Sequence, residues 1–121
     1  IIGAVAGVLC SSACSLKTKL GYDDSLDVVG VHGVGGTWGA LATGLFASKA
    51  INAAGNDGLF FGNPHQFWVQ VIAVLATWVF AFVGTLIILS ILKAIMGLRI
   101  SEAEEHMGLD LTQHDEKSYS L

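Results

Sequence analysis

Three uncharged, largely apolar runs divide this 121-residue chain: residues 1–16, 28–48 and 58–92. Polar links at 17–27 (KTKLGYDDSLD) and 49–64 (KAINAAGNDGLFFGNP) lie between them, and the Gly, Asn and Pro content of the second marks a loop. The third run carries a continuous helix signal over about 65–97, with a single Gly84 and no proline after Pro64. At about 1.5 Å per residue, a helix over 27–48 crosses a hydrocarbon layer of about 30 Å; the last helix is near 50 Å and must tilt or project beyond it. The pattern predicts an all-α integral membrane architecture with transmembrane segments at about 1–16, 27–48 and 65–97. These make up a membrane domain over 1–98, followed by a polar tail over 99–121.

Composition agrees with that picture. The chain is 53% hydrophobic and only 13% charged, with a mean hydropathy of +0.64, which excludes an ordinary soluble domain. It begins without Met inside an apolar run, so a C-terminal fragment is expected. A cleaved signal peptide would need a basic region ahead of that run, and Gly3 and Gly7 suit a packed helix better. Net charge is −4, but six of the ten acids fall in the last 21 residues, so the acidity belongs to the tail. Lys17 and Lys19 share a side with Lys93 and Arg99, against Lys49 alone in the other loop, and the positive-inside rule places the tail in the cytoplasm. Ser101 and Glu104 form a capping-box pattern for one short helix; the sequence beyond it has no helical stripe. Cys10 and Cys14, four apart on one helical face, have neither redox nor zinc spacing and read as small packing residues.

The candidate chemistry lies in the middle run. Residues 28–48 hold no Lys, Arg, Asp or Glu, yet include one imidazole, His32. An ionisable group there is costly in lipid, so it should face a bundle interior or a conduit. Burial without a counter-charge disfavours imidazolium, leaving a neutral ring that donates from one nitrogen and accepts at the other. Two roles fit that ring: a structural hydrogen bond to a neighbouring helix, or passage of a small neutral hydride such as ammonia with relay of a proton.

Small residues along the same run form ladders at four-residue spacing, including Gly35 with Gly39 and Gly36 with Ala40, so Gly33, Gly35, Gly36 and Gly39 are read as helix-packing positions. They do not make a phosphate loop, because the third glycine of GxGxxG falls on Trp38. Asp23, Asp24 and Asp27 precede the helix, either as an N-cap with a favourable first-turn acid or as acids holding adjacent helices in register. Phe60, Phe61, Phe67 and Trp68 cluster at the expected outer boundary, and His65, His106 and His114 lack metal-ligand company.

Two blocks are specific: YDDSLDVVGVHGVGG, and GLRISEAEEHMGLDLTQHDEKSY in the tail. With the loop and long helix between them, the chain resembles the C-terminal end of the ammonium transporter family, the Amt branch of the Amt/Rh superfamily. The resemblance implies eleven transmembrane helices per subunit in a homotrimer with one pore per subunit. This chain would supply the end of the ninth helix, the tenth and eleventh, and the cytoplasmic regulatory tail. It further implies that His32 is the second of two paired pore histidines, that Val28 lines the pore one turn below, and that Asp24 and Asp27 sit at the cytoplasmic end. The first histidine and the outer recruitment site would lie in other parts of the protein. Thr112 matches a position phosphorylated in plant members; with His114 and Tyr119 it marks the regulatory tail, which carries Asp115 and Glu116 where many family tails have Gly.

The function so implied is transport of ammonium, ammonia or methylammonium across the cell membrane by a multi-pass protein in the lipid bilayer. An ammonium sensor of the same fold is the alternative. A trimeric nitrogen-signalling regulator at the cytoplasmic face is an expected partner; nucleic acid, cofactors and metal are not. Enzymatic activity is not expected, since no nucleophile has an adjacent base.

Overall fold

The computed structural model describes residues 1–117, and among them every regular element is helical and none is a strand. Tyr119 lies outside the described residues. The chain divides into two compact units, residues 1–79 and 80–121.

In the first unit, α1 (Ile2–Leu20) ends at Gly21, whose φ of 68° is the left-handed conformation that glycine adopts without steric cost. A short link then leads to a π-helical turn, Val29–Gly33, which runs without a break into α2 (Val34–Phe46). The sequence predicts one regular helix across this region. The structure departs from it where the Val34 N–H reaches the Val29 carbonyl, five residues back, so that one extra residue is taken into the turn.

The loop after α2 is folded back on the helix end. Asp57 accepts a hydrogen bond from the Lys49 N–H at 2.7 Å, and the Gly58 N–H donates to the Ala47 carbonyl at 2.7 Å. A 3₁₀ turn, Leu59–Phe61, follows, with the Phe46 and Phe60 rings 5.1 Å apart. Pro64 then opens α3 (Pro64–Ile95), a position where its missing N–H leaves no bond unmade. With 32 residues, α3 is about 48 Å long and apolar on all sides. It is long and apolar enough to cross a membrane.

In the second unit, the end of α3 gives way to Gly97, at φ 81°. α4 (Glu102–Met107) carries the expected capping box: the Ser101 hydroxyl accepts from the Glu104 N–H while the Glu104 carboxylate accepts from the Ser101 N–H. The hydroxyl bond and the backbone bond from Ser101 hold the Glu104 carboxyl below the ordinary glutamate range. Beyond it the structure adds a helical turn that the sequence pattern does not predict, α5 (Leu109–Gln113). Gly108, at φ 101°, redirects the chain, and the Thr112 hydroxyl donates to the Gly108 carbonyl at 3.0 Å. One turn is too short to display an apolar stripe.

Candidate functional site

His32 is the fourth residue of the π-turn and is exposed, as are its sequence neighbours Val28, Val29 and Val31, each 44–48% exposed. Its neighbours in this chain act on the backbone to either side of it.

One face of α1 supplies most of those contacts. Cys10, Cys14 and Lys17, spaced four and three apart, point at successive levels of the π-turn. The Cys10 thiol donates to the Val31 carbonyl at 3.6 Å. Gly30 is buried against Cys14: a Cβ there would stand 2.7 Å from Cys14 Sγ and 3.1 Å from the Cys14 backbone nitrogen. A Cβ on Gly35 would meet Cys10 Sγ at 2.9 Å. Cysteines four apart on α1 therefore face glycines five apart, and the extra residue of the π-turn is what brings Gly30 and Gly35 onto one face. At the far end of α1, the Trp38 indole N–H donates to the Ile2 carbonyl at 2.9 Å.

Lys17 completes the row. Its ammonium lies 2.5 Å from Asp27 Oδ1 and donates to the Asp24 carbonyl at 2.7 Å. The two acids differ in their contacts. Asp24 is the cap, accepting from the N–H groups of Val28 at 2.8 Å and Val29 at 2.9 Å. Asp27 adopts φ 55° and turns its carboxylate toward α1, with Oδ1 sealed from solvent beside the ammonium. The hydrogen bond to Asp27 pushes the Lys17 ammonium above its ordinary value, partial burial opposes this, and the charges of Asp27 and Asp24 add to it.

α3 holds the other end of the turn. The Trp78 indole N–H donates to the Thr37 hydroxyl at 2.9 Å, and that hydroxyl donates to the Gly33 carbonyl at 2.7 Å. The Trp78 ring lies 3.8 Å from where a Cβ of Gly33 would be. Gly36 and Gly39 face open space within this chain, whereas Gly44 meets the α3 backbone, with Phe67 Cα at 3.0 Å from its would-be Cβ.

In the tail, Arg99 grips Glu105 with two bonds of 2.6 and 2.8 Å. That clamp holds the Glu105 carboxyl below the ordinary glutamate range. Thr112 is half-buried and His114 exposed. Among the described residues, no three His, Cys, Asp or Glu side chains come together as metal ligands. Sequence reasoning missed Lys17, Gly30, Thr37 and Trp78 as parts of this arrangement. The row Cys10, Cys14, Lys17 was the available signal, since a charged residue continuing the face of two small ones marks a helix contact with a polar end.

A model of the Ammonium Transporter Family matches residues 1–119. The chain is 52% identical over 120 residues to an ammonium transporter of Bacillus subtilis, covering 98% of this chain and 30% of that protein. It is 45% identical to ammonium transporter Amt1 of Archaeoglobus fulgidus, covering 99% of this chain and 30% of that protein. It is also 48% identical to an ammonium transporter of Aquifex aeolicus, over 99% of this chain and 28% of that protein. The chain spans about 30% of the length of the curated relatives it matches. With the family match running through the acid-capped π-turn, the long apolar helix and the tail alike, the chain belongs to the ammonium transporter family.

Proposed function

We propose that the whole protein moves ammonium or ammonia across the cell membrane, and that this chain contributes His32 to a pore lined by paired histidines, with Val28 below it. The observation that carries the reading is the setting of His32. It is the one ionisable side chain between Asp27 and Lys49, it sits in a π-turn, and its ring is left open to whatever packs on this surface. Unusual turns of this kind are frequent at functional sites.

The physical argument concerns charge. Carrying a bare ammonium ion through an apolar lumen costs several kcal/mol or more in lost hydration, about what an unpaired buried ion costs in proteins. Loss of its proton at the entrance removes most of that cost. A neutral imidazole then offers ammonia one donor and one acceptor, and the same two nitrogens suit relay of the proton. Three such subunits make the homotrimer, with the tail in the cytoplasm. There Arg99, Glu105 and Thr112 shape the surface on which a nitrogen-signalling regulator docks and a phosphate on Thr112 acts.

Methylammonium uptake by the full-length protein in transporter-deficient cells tests the assignment. His32→Ala at normal membrane abundance is expected to change the maximal rate, or the preference for ammonium over methylammonium, by about tenfold or more. Unchanged rate and preference would remove His32 from the pathway.

A further inference from the structure

Building on the pore reading of His32, we propose that the π-turn Val29–Gly33 is a positioning device for that residue, with Gly30 and Lys17 as its positioning residues. An isolated π-turn is a poor competitor to regular α-helix and persists only where its surroundings fix it. Here they do so from two sides. α1 presents Lys17 to the acids at the start of the turn, Cys14 to Gly30 in its middle, and Cys10 to the Val31 carbonyl next to His32. α3 presents Trp78, which reaches the Gly33 carbonyl through the Thr37 hydroxyl. None of these groups binds the imidazole. They hold the backbone on either side of it, so the ring direction is set by register while the ring itself stays free.

The register has a geometric consequence. Each residue of a helix turns it by about 100°, so relaxing the π-turn to α-helix would rotate the segment before the turn against α2 by about that angle. The match of Cys10 and Cys14 to Gly35 and Gly30 exists only with the extra residue in place. Gly30 is the tightest point. A methyl group there displaces the Cys14 thiol and presses on the Cys14 backbone nitrogen, so α1 must retreat or the turn must relax. Either response moves His32 without touching it. At the N-terminal side, Lys17 pairs with the Asp27 carboxylate and donates to the Asp24 carbonyl while the Asp24 carboxylate accepts from the Val28 and Val29 N–H groups, and together these fix where the turn begins.

The test compares wild type, Gly30→Ala, Gly30→Ala with Cys14→Ala, and His32→Ala, all in the full-length protein, with membrane abundance measured alongside uptake. Gly30→Ala is expected to lower maximal methylammonium uptake by roughly tenfold, less than the roughly hundredfold that a misplacement of a working group by about 1 Å can cost. It should also shift the preference between ammonium and methylammonium in the same direction as His32→Ala. Adding Cys14→Ala, which removes the thiol at 2.7 Å, should recover part of both. Wild-type rate and preference in Gly30→Ala, with His32→Ala altered, would overturn the positioning role and leave the pore reading intact. Wild-type behaviour in His32→Ala would sink both. If Gly30→Ala does not reach the membrane, Lys17→Met and Lys17→Arg decide the matter: the first should shift the preference and the second restore it, and an unshifted Lys17→Met overturns the proposal.

Discussion

Asp27 combines a left-handed backbone with a carboxylate oxygen cut off from water, and the second feature is unfavourable without Lys17. Asp is among the few side chains that tolerate φ near 55°, which explains why the position accepts it. The sealed oxygen is a different matter: although the Asp27 side chain is 40% exposed as a whole, removing only its partner leaves the charge at Oδ1 uncompensated, while removing both partners is often mild. We therefore expect Lys17→Met to lower the melting temperature of the detergent-solubilised full-length protein more than Lys17→Met combined with Asp27→Asn does. A double variant as unstable as the single one would show that the pair is incidental. Because the Lys17 pKa is raised, its contribution is fully present below the ordinary lysine value of 10.5 and is lost only as pH rises through the higher folded value. The tie is thus constant across the neutral range. That Asp24 caps the helix was open to reading from sequence; that Asp27 reaches back to Lys17 was not, because the left-handed turn that aims it leaves no mark in residue type.

Helix existence was legible in this chain and helix irregularity was not. α3 follows from length and composition alone, and Pro64 and Gly97 punctuate it where a chain leaving a helix needs them. The π-turn is invisible to periodicity, because an extra residue shifts a hydrophobic pattern only where polar positions reveal the phase, and residues 28–36 offer a single polar side chain. Its trace lies instead in the partner helix, where four-residue spacing of cysteines meets five-residue spacing of glycines. Close approach decides the loop after α2 as well. Gly58 passes so near the end of α2 that a Cβ would lie 2.7 Å from the carbonyl oxygens of Gly44 and Leu45, both backbone atoms that cannot step aside. Gly58→Ala should cost about 1–3 kcal/mol, the range typical of forced overpacking. Thermal unfolding of the solubilised full-length protein checks it, and a melting temperature equal to wild type would mean that the loop is free to lift from the helix end.

At the scale of the molecule, orientation rests on six basic residues. Lys17 and Lys19 precede the His32 helix, Lys93 and Arg99 follow the body of α3, Lys117 lies in the tail, and only Lys49 falls in the loop between α2 and α3. If the helix over 28–46 and α3 each cross the bilayer once, five of the six gather on one side, and the positive-inside rule assigns that side to the cytoplasm. The acids of the tail do not oppose this, since Asp and Glu contribute little to orientation. The same assignment would put the turn that carries the exposed Phe60 and Phe61 on the outer side. Fusing a reporter enzyme that is active only outside the cytoplasm after Gly55, and separately after Lys117, in the otherwise full-length protein measures both ends of α3. Activity is expected from the fusion in the loop and none from the fusion in the tail. The reverse pattern would invert the topology, and equal activity from the two would mean that α3, despite its length and composition, does not carry the chain across.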